Sequence, residues 1–341
     1  MAVSKATISI LSVGEMGLGI AKLLRAHDYN VLTNVTGRSR YTADRAASAS
    51  ITLVPTDAEL VTRSDYILSI VPPRDAIATA ERIVAAYSNL RTPRTSNEPL
   101  YYLDLNATSP RTINSIADRF SDLPIRLIDG GIIGAPPSLR PDSASSSNTE
   151  AWTRPSVPLS GPYPLSSAPM NGSELAVVLN TYHLCPSIGT ASGLKSCFAS
   201  LTKGLTALAI QSFSTAHSLQ VLPALQSELH AYTPKLLESV ERSLVGMPPK
   251  AYRWVDEMSE IGRTFEGAGW EEERVFENMA KVYETVTKDT VLGAEKTGER
   301  KMGRTVEDVT DAVVKGLRKR RRGESDGKDA RVDGGEGDEK K

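Results

Sequence analysis

The first half of the chain alternates short apolar runs with stretches whose apolar residues recur every three or four positions. Ile8, Ile10 and Leu11 lie in a run that reads as a buried first strand. Leu18, Ile20, Ala21, Leu23 and Leu24 follow at helical spacing. Residues 30–34 read as a second strand, 41–49 as a helix and 51–53 as a short strand. A buried strand over 65–71 ends at Pro72 and Pro73, and a helix follows over 76–87. Residues 100–105 read as a strand, 109–120 as a helix and 126–128 as a strand leading into the glycine turn 129–134. Residues 158–160 and 174–179 read as the last strands. This alternation predicts an α/β domain of Rossmann type, with a doubly wound, mostly parallel sheet.

From about Gly189 long helical patterns take over, at 192–217, 221–244, 252–266, 271–287 and 306–317, and predict an all-α C-terminal domain. The first of these is apolar for much of its length, through Leu201, Leu205, Leu208, Ile210 and Phe213. Such a helix is buried, either against a second subunit or at the centre of its own bundle, so a homodimer through the helical domain is one of two expectations. Residues 137–157 are rich in Ser and Pro and read as a flexible insertion. Residues 318–341 are charged and glycine-rich and read as a disordered tail. Its basic start, Arg318 to Arg322, reads as a solvated helix end, with an import or anion-binding patch as the other reading. The expected domains are therefore 1–186, 187–317 and the tail.

Composition narrows the class. With 341 residues, 40% hydrophobic and 24% charged, the chain is long enough for two soluble domains with cores. Forty basic against 41 acidic residues leave a net charge of −1, which favours neither nucleic acid nor a membrane surface. Two cysteines, Cys185 and Cys197, do not make a disulfide framework and fit a reducing compartment. The N-terminus leads directly into the first strand with no targeting pattern, and no apolar run is long enough to span a bilayer. A cytoplasmic location is expected, and no metal site.

The candidate chemistry begins at the turn between the first strand and helix, which carries Ser12, Gly14 and Gly17 in the pattern Ser-x-Gly-x-x-Gly. Glycines there let backbone approach a pyrophosphate, and a helix start offers free N–H groups to it. Ser12, Val13, Gly14, Glu15, Met16 and Gly17 are the expected cofactor-binding turn, although Ser12 stands where the fingerprint has its first glycine. The second strand ends at Asn34 rather than at the acid that holds a ribose hydroxyl. Thr36, Arg38 and Ser39 follow, and a guanidinium with a hydroxyl suits a 2′-phosphate. NADP is therefore expected in preference to NAD, with Val71, Pro72 and Asn106 completing the cofactor set. The plainer reading is a polar loop facing water.

Four blocks, in order over about residues 8–290, carry a resemblance: Gly-Glu-Met-Gly-Leu-Gly at 14–19, Asp-Leu-Asn-Ala-Thr-Ser-Pro at 104–110, Asp-Gly-Gly-Ile-Ile-Gly-Ala at 129–135 and Gly-Thr-Ala-Ser-Gly-Leu-Lys at 189–195. The chain resembles the β-hydroxyacid dehydrogenases, the group of 6-phosphogluconate and 3-hydroxyisobutyrate dehydrogenases, and most of all a 6-phosphogluconate-dehydrogenase-like branch with its own helical C-terminal domain. The resemblance implies that Lys195 is the catalytic acid/base, which requires burial or a nearby cation to bring its pKa towards neutrality. It implies a substrate site at Ile133, Gly134, Ala135 and Ser192, with Asn106 near nicotinamide or substrate. Ser192, Ala199 and Thr202 share a helical face with Lys195. The family's Asn four residues after the lysine is Ala199, and the serine of its second substrate loop is Ile133. Both departures make the pocket more apolar, and 6-phosphogluconate itself is not expected as substrate. Arg253 and Trp254 read as a helix-surface pair or as a cap on an acidic substrate.

These readings converge on an NADP-dependent oxidoreductase acting on CH–OH groups. It would move a hydride between nicotinamide and an alcohol or carbonyl near an acid group, with a small molecule as partner. An imine or ketone reductase on the same fold is the alternative within the class. A non-catalytic dinucleotide-binding redox sensor is the alternative outside it.

Overall fold

The computed structural model describes residues 5–141 and 148–323. The first stretch runs β1 (Thr7–Leu11), α1 (Glu15–Ala26), β2 (Asn30–Thr33), α2 (Arg40–Ser48), β3 (Thr52–Leu53), α3 (Asp57–Arg63), β4 (Tyr66–Ser69), α4 (Ala76–Ser88), β5 (Leu100–Asp104), α5 (Pro110–Phe120) and β6 (Ile125–Gly130). Then come β7 (Ser138–Leu139), β8 (Trp152–Thr153), β9 (Val157–Ser160), α6 (Gly172–Val178) and β10 (Thr181–His183). The rest is helical: α7 (Thr190–Ser218), α8 (Leu222–Tyr232), α9 (Pro234–Gly246), α10 (Ala251–Glu266), α11 (Val275–Asp289) and α12 (Val306–Arg322).

Eight strands form one sheet in the order β10-β9-β6-β5-β4-β1-β2-β3. Its neighbours run parallel except β6 and β9. The apolar runs are continuous because both faces are covered. Tyr66, Leu68, Tyr101 and Leu103 enter one core with Leu23 and Leu24 of α1. The intervening Ile67, Leu100 and Tyr102 enter the other, with Ile83 of α4 and Ile113 of α5. The alternation along each strand thus puts successive side chains into two different cores.

The chain divides into two compact units, Met1–Ala207 with Arg253–Lys281, and Leu208–Tyr252 with Val282–Lys341. The first holds the sheet, the start of α7 and nearly all of α10. In the second, α9 packs on α12, and the buried residues Leu237, Val240 and Leu244 recur at helical spacing.

Three expectations are corrected. Residues 174–179 are not a strand: Leu175, Val178 and Leu179 are buried while Val177 is exposed, a helical period, and the edge strand is β10. The pattern over 221–244 is two helices, because Pro234 opens α9 and Thr233 ends α8. The insertion at 137–157 is built into the fold where it is described: β7 pairs with β8, and Trp152 is buried. Arg318 to Arg322 are the exposed end of α12, as expected, and Thr305 caps its other end. Residues 324–341 of the expected tail lie outside the described residues. Among the described residues no helix is long and apolar enough to cross a membrane.

Candidate active site

The glycine turn keeps the shape its fingerprint requires. Ser12 has φ +79°, the left-handed conformation that glycine takes most readily, so it stands in for the missing glycine. A Cβ on Gly17 would lie 2.1 Å from the Ser12 carbonyl oxygen, so that position admits no side chain. Gly14 caps α1 without a side-chain hydrogen bond, which leaves first-turn N–H groups for a ligand.

A cleft there brings together six of the expected residues, Ser12, Val13, Gly14, Asn34, Arg38 and Val71. Thr42, Arg45 and Arg82 line it as well. Arg38, Thr42 and Arg45 are spaced by four and three, the signal that would have found the last two. Other expected residues are engaged elsewhere. The Ser39 hydroxyl caps α2, accepting from the Thr42 N–H at 3.4 Å, and the Thr36 hydroxyl donates to the Pro55 carbonyl at 2.8 Å. Asn34 donates to Asp57 at 2.8 Å, and Arg82 forks onto the same carboxylate at 2.9 and 3.0 Å. An acid is present here after all, but Arg82 neutralises it.

At the far ends of the strands, Ser69, Asp104 and Asp129 are neighbours in register across β4, β5 and β6, and all three are buried. Asn106, expected at the nicotinamide, makes its bonds within the protein. Its carbonyl accepts from Val71 N–H at 2.7 Å, and its amide donates to Ser69 at 3.0 Å and Asp104 at 2.9 Å. It ties the loops after β4 and β5 together. Burial pushes the Asp104 carboxyl up to about 7, helped by Asp129 and Glu260 and opposed by the bonds from Asn106.

Asp129 holds the start of α7. Its carboxylate accepts from the N–H groups of Gly189 at 2.8 Å, Ala191 at 3.1 Å and Ser192 at 3.3 Å. The hydroxyls of Ser160, at 2.8 Å, and Ser192, at 2.6 Å, donate to it as well. A carboxylate at a helix start satisfies orphan donors and complements the dipole. Ser192, expected to touch substrate, is instead buried and bonded to Asp129.

One turn on, Lys195 crosses the loop that follows β6. Its Nζ donates to the Ile132 carbonyl at 2.5 Å. Burial, and then the neighbouring Arg253, lower its pKa from 10.5 to about 8. The same loop continues to α1, where a Cβ on Gly19 would stand 3.0 Å from Pro137 and 3.1 Å from Pro136. Between these ends, Ile133 pairs with Ser156 through both backbone groups, at 2.8 and 2.9 Å. Gly134 and Ala135 are exposed, and Gly134 has φ +129°. Ala199 is buried, and the Thr202 hydroxyl bonds its own helix at the Phe198 carbonyl, 3.3 Å away.

The partner of α7 is α10. Lys203 pairs with Glu257 and lies over the Trp254 ring at 5.6 Å. Burial, then Lys195 and Arg253, press the pKa of Lys203 well below its ordinary value. Thr264 and Ser196 hydroxyls meet at 2.9 Å, so the two helices run antiparallel. Glu260, also buried, accepts from the Ser109 N–H and the Thr112 hydroxyl, both at 2.7 Å, at the start of α5. Arg74, in the loop after β4, faces Asp256 at 3.7 Å. Apart from Arg253 and Trp254, the sequence offered no sign of this set, because its members lie far apart along the chain.

Comparison with known proteins bears on this geometry. Residues 7–91 match the family model described as NADP oxidoreductase, coenzyme F420-dependent, and residues 216–286 match a domain of unknown function. No curated protein matches the chain. Three solved structures are similar. One is a 3-hydroxyisobutyrate dehydrogenase of Mycobacterium tuberculosis with L-serine, 13% identical, covering 92% of this chain and 99% of that one, TM-score 0.59. Another is a conserved protein of unknown function with structural similarity to 3-hydroxyacid dehydrogenases, 21% identical, covering 82% and 96%, TM-score 0.54. The third is Psf3 in complex with NADP+ and 2-OPP, 16% identical, covering 83% and 93%, TM-score 0.54. The chain resembles the 3-hydroxyacid dehydrogenases in both of its parts and has their fold, a dinucleotide-binding sheet followed by a helical region.

Proposed function

We propose that this protein is an NADP-dependent oxidoreductase of CH–OH groups, with Lys195 as its general acid/base. The observation that carries the reading is the loop after β6. One end accepts the Lys195 ammonium at Ile132, and the other packs on α1 beside the glycine turn. A single segment thus links a lysine of lowered pKa to a dinucleotide cradle.

The residues present fit the cofactor. The turn at Ser12–Gly14 and the uncapped start of α1 suit a pyrophosphate: at Gly14 no side chain stands in the approach, and Gly17 lets α1 pack on the turn. Arg38, Thr42 and Arg45 would hold a 2′-phosphate, and no unpaired acid stands in the cleft to repel it. Bound there, nicotinamide supplies the hydride or receives it. The M. tuberculosis neighbour with serine and the NADP+ complex support this reading of small polar substrate and cofactor.

The chain's own work is proton transfer and positioning. In the oxidation direction Lys195 Nζ takes the hydroxyl proton; in reduction it returns one to the developing alkoxide. With a pKa of about 8 both forms are populated near neutral pH. The Ile132 carbonyl aims the amine. Asp129 fixes the helix start that carries it, and Asn106 fixes the loops after β4 and β5.

Titration with NADPH and, separately, NADH, followed by nicotinamide fluorescence, tests the cofactor assignment. Tight NADPH and weak NADH are expected, and binding of neither overturns the reading. Turnover of a hydroxy-acid panel by Lys195→Ala should fall at least 100-fold with NADPH affinity retained. Unchanged turnover would remove Lys195 from the proton transfer, and cofactor binding with no turnover by wild type would leave a non-catalytic dinucleotide-binding sensor.

A further inference from the structure

The second turn of α10 is held on two sides. Asp256 faces Arg74 in the loop after β4, and Glu257 pairs with Lys203 of α7. Arg253 lies one turn before Glu257 on the same helical face. Among the described residues Arg253 has no ion pair and no hydrogen bond, and its Nε is buried without a partner. Buried charged donors are ordinarily satisfied, so a guanidinium left this way points to a group that arrives from outside.

The surroundings say what kind of group. Lys195 and Lys203 are the cations that sense Arg253. Against the four cations Lys195, Lys203, Arg253 and Arg74 stand two acids: Glu257 pairs with Lys203, and Asp256 lies 3.7 Å from Arg74 with its Oδ2 buried and without a hydrogen bond. Positive charge is therefore in excess beside Lys195. The loop after β6 does not offer the full set of donors for an anion, since the Ile133 N–H is bonded to the Ser156 carbonyl at 2.8 Å. The planar fork of an arginine matches a carboxylate through two parallel hydrogen bonds.

We propose that Arg253 binds the carboxylate of the substrate beside Lys195, which makes it the residue that selects for acids. This rests on the dehydrogenase reading above, and it adds to that reading the residue that holds the acid group. Lys203, drawn towards Glu257 and the Trp254 ring, braces the helix that presents the guanidinium.

The test is calorimetric titration of the full chain with malonate, with and without NADPH. Wild type should bind malonate. Arg253→Gln should weaken that binding at least tenfold and Arg253→Lys by less, with NADPH affinity as the control for folding. No malonate binding by wild type, or equal binding by Arg253→Gln, overturns the proposal. Should the variants not fold, phenylglyoxal labelling of Arg253 in wild type decides: slowing by malonate supports the site, and labelling indifferent to malonate overturns it. Malonate binding through Arg253 with no NADPH binding would leave the anion site standing and remove the redox reading, so the two failures are distinguishable.

Discussion

Gly131 makes the room that Lys195 occupies: a Cβ on Gly131 would lie 2.8 Å from the lysine Cβ and 3.3 Å from its Cγ. The Ala191 carbonyl stands 3.5 Å from the same point. The loop and the helix therefore meet only because one of them lacks a side chain. Gly131→Ala should cost about 1–3 kcal/mol in stability, the usual range for overpacking. It should also lower kcat more than tenfold by displacing the amine, with NADPH affinity unchanged. Urea unfolding and steady-state kinetics read the two effects.

The lowered pKa of Lys195 sets a pH profile. In the oxidation direction the free amine is required, so kcat/KM should rise with pH and level off above about 8. In reduction the ammonium is required, and the limb should fall through the same value. The sign for stability is separate. Between about 8 and 10.5 the unfolded chain holds this proton and the folded chain does not. Stability from this group therefore rises with pH across that window, and the penalty is fully present below it. Lys195→Met should remove both the kinetic limb and this slope.

Asp129→Asn replaces a carboxylate that accepts five hydrogen bonds, two of them from hydroxyls. An amide cannot accept from all of them, and it lacks the charge that complements the helix start. A loss of about 2–3 kcal/mol is expected from weakened charge-assisted bonds. Because α7 carries Lys195, kcat should fall while NADPH binding holds. Thermal unfolding that leaves Tm unchanged would contradict the capping role.

Ser12→Gly should stabilise the protein. Ser12 has φ +79°, a conformation that costs an L-residue about 1–2 kcal/mol and glycine almost nothing. The gain is partly offset by the greater freedom of glycine in the unfolded chain. A rise in Tm with NADPH affinity kept or improved is the expected result, checked by calorimetry with and without cofactor.

Raised above its ordinary carboxyl range, Asp104 predicts a loss of stability as pH climbs from about 4 to about 7, because the folded state keeps the proton longer than the unfolded one. The full span is on the order of 4 kcal/mol, at about 1.4 kcal/mol per unit. Asp104→Asn should flatten this slope, read as unfolding free energy against pH in the two proteins.

Much of this was legible beforehand. The order β1-α1-β2 and the buried run of β4 follow from local periodicity, which any half-buried or fully buried element must display. The glycine turn was readable because Gly14 and Gly17 answer a local need of the backbone. Residues 174–179 were not legible, because a short apolar run fits strand or helix equally, and the helical period over 221–244 runs on across Pro234, which divides it into two helices.

By itself, the sequence determined which segments become strands and helices and where backbone must come close, because these depend on neighbours a few residues apart. It also marked Lys195, through a motif read at one helix start. Only the tertiary structure decided what the polar groups do. Sheet order sets Asp129 of β6 at the start of α7, 63 residues away from Ser192. It turns Ser192 and Asn106 inward, and the packing of α10 puts Arg253 beside Lys195. Whether a hydroxyl or a charge is satisfied within the protein or left for a ligand depends on what burial brings within a few ångströms of it, and that distance is not written in the spacing along the chain.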